Sequence, residues 1–239
     1  MALVSSHQVK AFVSPFPGPA PVSANDVRGN DNILRTQFNA HDADSSIHIQ
    51  SGTLANRPAT LPAGSTYFCT DTQDTYTSTG AGWVQSAWAH WYGDFYDTTD
   101  QVAAAANTEQ LVTLNGTGVT RGVSLVSSSR VTVAYAGHYN VQFSAQVTNS
   151  AADEQDAWFW WKKNGTNIAE SAGQITVHKK HGTTNGNLLA CWNINLTLAA
   201  NDYLQLYWQA STTSMALDTI PAAGSIPRSP SVIITINRI

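Results

Sequence analysis

Hydrophobic and polar residues alternate along the stretch from Ala136 to Val147. The apolar positions are Tyr139, Val141, Phe143, Ala145 and Val147, and the residues between them are polar. A period of two is typical of a β-strand with one buried face. Because so aromatic a face needs more cover than a lone hairpin provides, we expect a second sheet packed against it, as in a β-sandwich.

Similar short patterns, separated by turn residues, recur as far as Ile239. They predict strands over residues 89–96, 109–114, 123–126, 130–133, 139–148, 157–163, 166–176, 186–198, 203–210 and 231–238. Asn164-Gly165 is the strongest local signal, because a two-residue hairpin turn requires positive φ at both positions. Short strands with almost no helix between them indicate a jelly roll or a related sandwich.

The residues before this region follow other patterns. Pro15, Pro17, Pro19 and Pro21 favour an extended path up to about Asn30 that lies on another surface. Two short runs within residues 51–86, joined by small turn residues, predict a β-hairpin or meander. We therefore expect an arm over residues 1–50, a small β connector over 51–88 and the main β domain over 89–239.

A short helix is predicted near the end of the arm. Ile33, Leu34 and Phe38 fall on one helical face, and Asn30 or Asp31 suits the N-cap position. We expect this helix to end near His41.

Composition excludes several classes of function. Only 12% of the 239 residues are charged, and the net charge is -4. A nucleic-acid-binding protein needs clustered Lys and Arg, whereas the only dense basic run here is Lys179-Lys180, which lies between His178 and His181 and indicates a solvated loop. The sequence contains neither a signal-peptide pattern nor an apolar run long enough for a membrane span.

The two cysteines, Cys69 and Cys191, lie far apart in the sequence and form no disulfide framework or zinc motif. Both lie in apolar or strand-like contexts, so we predict buried thiols in a protein assembled in a reducing cytosol. A pairing of the two across the fold stays open at this point.

Several motifs, taken in order, resemble one known family. They are G-x-Y-x-V-x-F at Gly137–Phe143, the Asn164-Gly165 hairpin, L-x-x-x-D-Y-L-Q-L at Leu198–Leu206 and P-S-V-I-I-T-I at Pro230–Ile236. Together they resemble the C1q/TNF-like jelly roll, in the version carried by tailed-phage structural proteins. That version often opens with Y-G-x-F-x-D-x-T-x-Q, here Tyr92–Gln101, and the segments Gly29–Ser51 and Ala55–Ala59 are also similar to phage proteins. Asn201 stands where the family usually has Gly, and since Asn tolerates left-handed geometry we expect the turn to persist.

The resemblance implies an all-β, C1q/TNF-like jelly-roll sandwich preceded by an extended arm, a short helix and a small β-hairpin module. It also implies a homotrimer on the surface of a virion, made in the host cytoplasm and anchored by its N-terminal part to a capsid or tail protein. The candidate anchor residues are Phe12, Phe16, Leu34 and Phe38. Capsid decoration, a head fibre and a tail fibre are all compatible with these motifs. Abundant Trp and Tyr with few charges also favour a symmetric subunit interface.

The run Trp158-Phe159-Trp160-Trp161 is the most conspicuous aromatic cluster. Alternation places Trp158 and Trp160 on one face and Phe159 and Trp161 on the other, so one pair enters the core. The other pair is covered by a neighbouring subunit or forms a platform on which sugar rings stack. The candidate interface or glycan-platform residues are Trp158, Trp160, Trp161 and Trp208. A lectin-like module that binds a host surface glycan is therefore the alternative function.

No enzyme motif is present, and we predict no catalytic residue and no cofactor. Asp153, Glu154 and Asp156 could mimic a glycosidase pair, but they follow loop-like residues, so glycan hydrolysis ranks third. His41, Asp42, Asp44 and His48 could ligate a metal, yet their spacing matches no ligand motif. We therefore predict no metal site.

Overall fold

The structure is a computed structural model that describes residues 24–43, 49–87 and 89–239. The described chain divides into two compact units. The smaller unit includes the described residues up to Cys69 together with Thr75–Ala87, and the larger one includes Thr70–Asp74 and the residues from 89 onward. No helix within these ranges has the length and apolarity needed to cross a lipid bilayer.

The smaller unit contains one α-helix and a four-stranded sheet. Helix α1 covers Ala24–Ala43, and the strands are β1 (Gln50–Gly52), β2 (Thr66–Cys69), β3 (Thr75–Ser78) and β4 (Trp83–Ala87). The sheet order is β1-β2-β3-β4, with β1 parallel to β2 and the other pairs antiparallel. The β2–β4 meander matches the predicted β module, whereas the parallel strand β1 was not predicted.

The predicted start of the helix was wrong. Because α1 begins at Ala24, Asn30 and Asp31 lie inside the helix rather than at its N-cap, and residues 24–30 are not extended. The first turns of α1 are polar, so apolar periodicity reveals the helix only from Ile33 onward. The proline-rich residues 1–23 lie outside the described residues.

The larger unit is built from β-strands, with no helix in its described residues. They are β5 (Tyr92–Asp97), β6 (Gln101–Val102), β7 (Gln110–Leu111), β8 (Gly116–Arg121), β9 (Val123–Val126), β10 (Arg130–Val133), β11 (Gly137–Asn149), β12 (Gln155–Lys163), β13 (Thr166–Asn167), β14 (Gly173–Val177), β15 (Gly186–Leu198), β16 (Tyr203–Ala210), β17 (Met215–Leu217) and β18 (Val232–Arg238). The bounds of β9, β10, β15 and β16 are the predicted ones. The predicted single strand over residues 166–176 is instead two strands, β13 and β14.

Eight of these strands pair as a folded ribbon. In chain order they are β5, β10, β11, β12, β14, β15, β16 and β18. The pairing is nested from the outside in: β5 pairs with β18, β10 with β16, β11 with β15 and β12 with β14. They form two antiparallel sheets, ordered β15-β11-β18-β5 and β14-β12-β16-β10. This nested pairing is the topology of a jelly roll, so the predicted fold class is confirmed.

The core lies between the two sheets. All five apolar residues of the alternating stretch in β11 are at most 3% exposed, which confirms the predicted buried face. From the opposite sheet, Phe159 and Trp161 face Phe143, with ring centroids 5.3 and 6.1 Å away. Burial of these aromatic rings supplies much of the driving force for closing the sandwich.

Two turns have the predicted left-handed geometry. At the tip of the β12–β13 hairpin, Asn164 and Gly165 have φ of +51° and +83°. Asn201, before β16, has φ of +68°, as expected for a turn in which Asn replaces Gly. The Asn164 amide also donates to Asp202 Oδ1 at 2.6 Å, so the two turns support each other.

Candidate functional site

An open groove lies on the outer face of the sheet that contains β12. Its volume is about 440 Å³, and its lining residues are Trp158, Trp160, Asn167, Ile168, Ala172 and Gln209. Trp158 and Trp160 project from the same face of β12 because they are two residues apart, and both are half-buried. Trp158 stands between Gln174 of β14 and Gln209 of β16, its partners in the sheet register.

The Trp160 indole is held in place from two sides. Its Nε1 donates a hydrogen bond to Asn167 Oδ1 at 3.0 Å. Its ring stacks against Tyr207 of β16, with centroids 6.1 Å apart and an interplanar angle of 26°. The Asn164-Gly165 turn folds the chain back so that Asn167 pairs with Lys162. This hairpin therefore places the Asn167 side chain close to the Trp160 indole.

One wall of the groove is the segment between β13 and β14. Ile168 donates its backbone N–H to the Trp161 carbonyl at 2.9 Å, and the Trp161 N–H donates to Ser171 Oγ at 3.0 Å. Ser171 is buried, and its hydroxyl donates to the Ile168 carbonyl at 2.8 Å. The wall is therefore fixed to β12 by main-chain and hydroxyl bonds, which explains why the predicted continuous strand is interrupted here.

Among the groove-lining residues none is ionisable. Two charged residues, Asp156 and Lys162, flank Trp158 and Trp160 on the outer face of β12. The Asp156 carboxylate accepts a hydrogen bond from Thr176, and the Lys162 Nζ lies 2.9 Å from both carboxylate oxygens of Glu109. The same ammonium lies 4.0 Å from the centroid of the Tyr207 ring. Because the residues that line the groove are uncharged, the groove suits stacking and neutral hydrogen bonds rather than ion binding.

Two of the four predicted platform residues lie elsewhere. Trp161 and Trp208 are at most 1% exposed and belong to the hydrophobic core, so the prediction that they form an exposed face was wrong. Trp208 shares its inward face with Leu204, Leu206 and Ala210, and this alternation within β16 was the sequence signal that assigns it to the core. Trp158 and Trp160 are the pair that faces outward.

Sequence reasoning missed the other residues of the groove. Asn167, Ile168 and Ala172 come from a segment that was predicted to be strand, and Gln209 comes from β16 through a pairing distant in sequence. Tyr207 was also missed, although alternation with Trp208 places it on the outer face. Only the pairing of β12 with β16 brings it to Trp160.

Other predicted sites are dispersed or undescribed. Leu34 and Phe38 are exposed on α1, 54% and 65%, whereas Phe12 and Phe16 lie outside the described residues. Of the candidate metal cluster, His41 is exposed on α1, but the Asp42 side chain, Asp44 and His48 are also outside them. Within the described part of the chain, no group of three or more His, Cys, Asp or Glu side chains could hold a metal ion.

The cysteines differ in environment. Cys69 is buried, as predicted, but Cys191 is exposed on β15, so the prediction that both are buried was wrong. Cys191 alternates with the inward-facing Ala190 and Trp192, which places its side chain on the outer face of the sheet.

The acidic side chains form no catalytic pair in the groove. Asp153 and Glu154 are exposed before β12, and Asp156 accepts a hydrogen bond from the Thr176 hydroxyl at 2.7 Å. Near the end of β17, burial raises the pKa of Asp218, while a backbone hydrogen bond from Thr219 lowers the pKa of Asp100. Hydrogen bonds to threonines account for the positions of both of these carboxylates.

Comparison with known proteins finds a distant structural likeness but no family. No protein-family model and no curated protein matches the chain. Among solved structures, the chain is similar to the TNF protein Eiger from S. frugiperda, at 12% identity and a TM-score of 0.42, over 63% of this chain and 92% of that one. The jelly-roll assignment rests on the strand pairing described above.

Proposed function

We propose that this chain is a non-enzymatic, homotrimeric structural protein of a phage virion. Its N-terminal part binds a capsid or tail protein, and its jelly-roll domains are displayed on the virion surface for capsid decoration or host attachment. The phage assignment is supported by the sequence motifs at Gly29–Ser51 and Tyr92–Gln101. The observation that carries the assembly is an apolar edge of the jelly roll that a single chain leaves half open.

This apolar edge is formed by the outermost strands of the two sheets. β14 pairs only with β12, and β15 only with β11. Along β15, Trp192, Ile194 and Leu196 point toward the core but remain half-exposed, because no further strand covers them. Half-exposed core residues beside an unpaired strand edge favour burial against another protein surface.

A second candidate contact surface is the outer face of β11 and β15. Its residues are His138, Asn140, Gln142, Ser144 and Gln146 on β11 and Leu189, Cys191, Asn193, Asn195 and Thr197 on β15. None of them is Asp, Glu, Lys or Arg. The amides bond to one another, with the Asn140 amide donating to Asn195 Oδ1 at 2.7 Å. Amides that bond one another cost less to desolvate than unpaired charges do, so a face without Asp, Glu, Lys or Arg is compatible with a subunit interface.

The edge and the face lie on different parts of the same unit. Contact between the edge of one subunit and the face of the next is heterologous, and such contacts close into a ring when the rotation between subunits allows it. Three subunits form the ring implied by the resemblance to C1q/TNF-like proteins. This arrangement would bury both surfaces at once.

Light scattering of the full chain tests the assembly. We expect about three times the chain mass of 25.7 kDa. Asn193→Lys places a charge on the exposed outer face of β15 and is expected to give single chains, since burying an unpaired ammonium is costly. Ser124→Lys, at an exposed position on β9, is the matched control and should leave the trimer intact. A single-chain mass for the unaltered protein at micromolar concentration would reject the trimer.

The anchor is supported by the exposed apolar side chains of α1. Leu34 and Phe38 are four residues apart and therefore share one face of the helix. We expect Leu34→Glu with Phe38→Glu to abolish incorporation into particles of the phage that encodes the chain. Asn39→Glu, another exposed change on α1, should have no effect. Normal incorporation of the double variant would reject this anchor.

A further inference from the structure

We infer that the groove of Trp158 and Trp160 is a binding site for neutral oligosaccharides. All six lining residues come from the β12–β14 and β16 region, so a single chain forms this groove. The inference therefore goes beyond the proposed trimer and can fail or stand independently of it.

The aromatic floor has the geometry that sugar stacking requires. Side chains two residues apart on a strand emerge about 7 Å apart on the same face, so the two indoles can contact neighbouring rings of an oligosaccharide. A pyranose ring presents C–H groups on its faces, which pack on the negative face of an indole. The Asn167 hydrogen bond and the Tyr207 ring hold Trp160 before any ligand arrives, which lowers the entropy cost of binding.

Amide groups surround the floor where sugar hydroxyls would lie. Asn167 lines the groove and uses its Oδ1 to accept from Trp160, so its NH₂ group is the part of the amide that could donate to a ligand oxygen. Gln209 lines the groove, and Gln174 is exposed on the other side of Trp158. Side-chain amides both donate and accept, as a hydroxyl group does, and therefore match sugar hydroxyls in either direction.

The absence of ionisable lining residues favours uncharged sugars over charged ones. A carboxylate or sulfate on the ligand would be desolvated without a cationic partner, because the Lys162 ammonium is already paired with Glu109. The groove therefore favours uncharged hexose or N-acetylhexosamine oligosaccharides over uronates and sialylated chains.

The test begins with a printed array of neutral hexose and N-acetylhexosamine oligosaccharides beside uronate and sialylated ones. The best neutral oligosaccharide is then titrated in solution against the full chain, with tryptophan fluorescence as the signal. We expect Trp160→Ala and Trp158→Ala each to weaken binding about tenfold or more, the loss that removal of one stacking partner causes. Asn167→Ala should weaken binding less, through lost hydrogen bonding and a less constrained Trp160.

Tyr203→Ala is the matched control, since Tyr203 is a half-buried aromatic residue on the same sheet outside the groove. It should bind within twofold of the unaltered chain. Asn193→Lys should retain the solution affinity even as a single chain, which separates this inference from the trimer. Binding to no neutral oligosaccharide, preference for charged ones, or equal losses in Tyr203→Ala and Trp160→Ala would overturn it.

Discussion

A buried ion pair joins Arg238 to Asp74 in the larger unit. The two guanidinium nitrogens lie 2.7 Å from the two carboxylate oxygens, and the side chains are only 8% and 2% exposed. Arg238 also donates to the Thr72 carbonyl at 3.1 Å. Removing one partner of such a bidentate pair strongly destabilises a protein, because the remaining charge stays buried without its partner.

We predict that Asp74→Ala lowers the free energy of unfolding by about 3–5 kcal/mol. Urea denaturation measures this loss. Lys163→Ala is the control, since its contact with Asp202 spans 3.9 Å and its side chain is 43% exposed, and it should cost less than about 1 kcal/mol. The double variant Asp74→Leu, Arg238→Met should recover most of the stability. Equal effects of Asp74→Ala and Lys163→Ala would contradict the prediction.

Tyr139 makes stability depend on alkaline pH. Burial raises its pKa to about 12, and its hydroxyl donates to the Tyr135 carbonyl at 2.8 Å. The unfolded chain ionises this phenol near pH 10, whereas the folded chain keeps it neutral. Its contribution is therefore fully present below pH 10 and is lost as the pH rises from about 10 to 12, on the order of 2–3 kcal/mol.

We expect Tyr139→Phe to flatten the decline of stability between pH 10 and 12. Urea midpoints measured from pH 9 to 12 give this slope, and Tyr203→Phe, a half-buried tyrosine, serves as the control. Near neutral pH the Tyr139→Phe variant should lose about 1 kcal/mol, since the hydrogen bond to Tyr135 is removed. An unchanged slope would show that Tyr139 does not control the alkaline transition.

At the scale of elements, alternate residues of β12 face the core and the surface. Trp161 is fully buried and faces Phe143, whereas its neighbour Trp160 is half-buried beside the groove. We predict that Trp161→Ala costs about 3–5 kcal/mol and Trp160→Ala about 1 kcal/mol or less. Guanidinium denaturation measures the loss of stability in each variant. Similar losses in the two variants would contradict the assignment of Trp161 to the core and Trp160 to the surface.

Trp161→Phe refines this comparison. The Trp161 Nε1 is buried and makes no hydrogen bond within the described structure, so replacing the indole by a phenyl ring removes a group that is already unsatisfied. We expect Trp161→Phe to retain well over half of the stability lost in Trp161→Ala. A loss as large as that of the alanine variant would indicate a partner for this N–H.

The sequence predicted elements where alternation is strong and turns are sharp. β11, β15 and β16 are long and alternate clearly, and their positions followed directly from that pattern. β6 and β17 were missed because two or three residues show no period. β8 was missed because its residues are nearly all exposed and carry no buried face. Short edge strands form where a neighbouring strand offers hydrogen bonds, which a local pattern does not record.

The groove was predictable only in part, for the same reason. Alternation identifies Trp158 and Trp160 as a pair on one face, because that property is local. Gln209 and Tyr207 reach them through the β12–β16 pairing, which spans many residues of sequence. The wall at Ile168 depends on the Ser171 hydroxyl, and no periodic signal reports a single hydrogen bond of that kind.

At the scale of the whole molecule, position in the sequence does not define the larger unit. Thr70–Asp74 belongs to that unit although it lies between β2 and β3 of the smaller one. We predict that deleting residues 1–88 yields a jelly roll destabilised by up to about 3–5 kcal/mol, because Arg238 loses both the Asp74 carboxylate and the Thr72 carbonyl. Arg238→Met in the shortened chain should restore stability, as thermal unfolding would show. An equally stable shortened chain without that change would contradict the prediction.

The position of β18 has a consequence for how the protein folds. It lies between β11 and β5, both of which are made much earlier during synthesis. Until β18 emerges, the facing edges of those two strands remain unpaired, and their apolar sides can attach to other chains. Pairing of the first strand of the ribbon with the last also gives a high contact order, typical of domains that fold in milliseconds to seconds. Newly made chains therefore expose these strand edges until β18 is made, and we expect the yield of soluble protein to fall as the rate of expression rises.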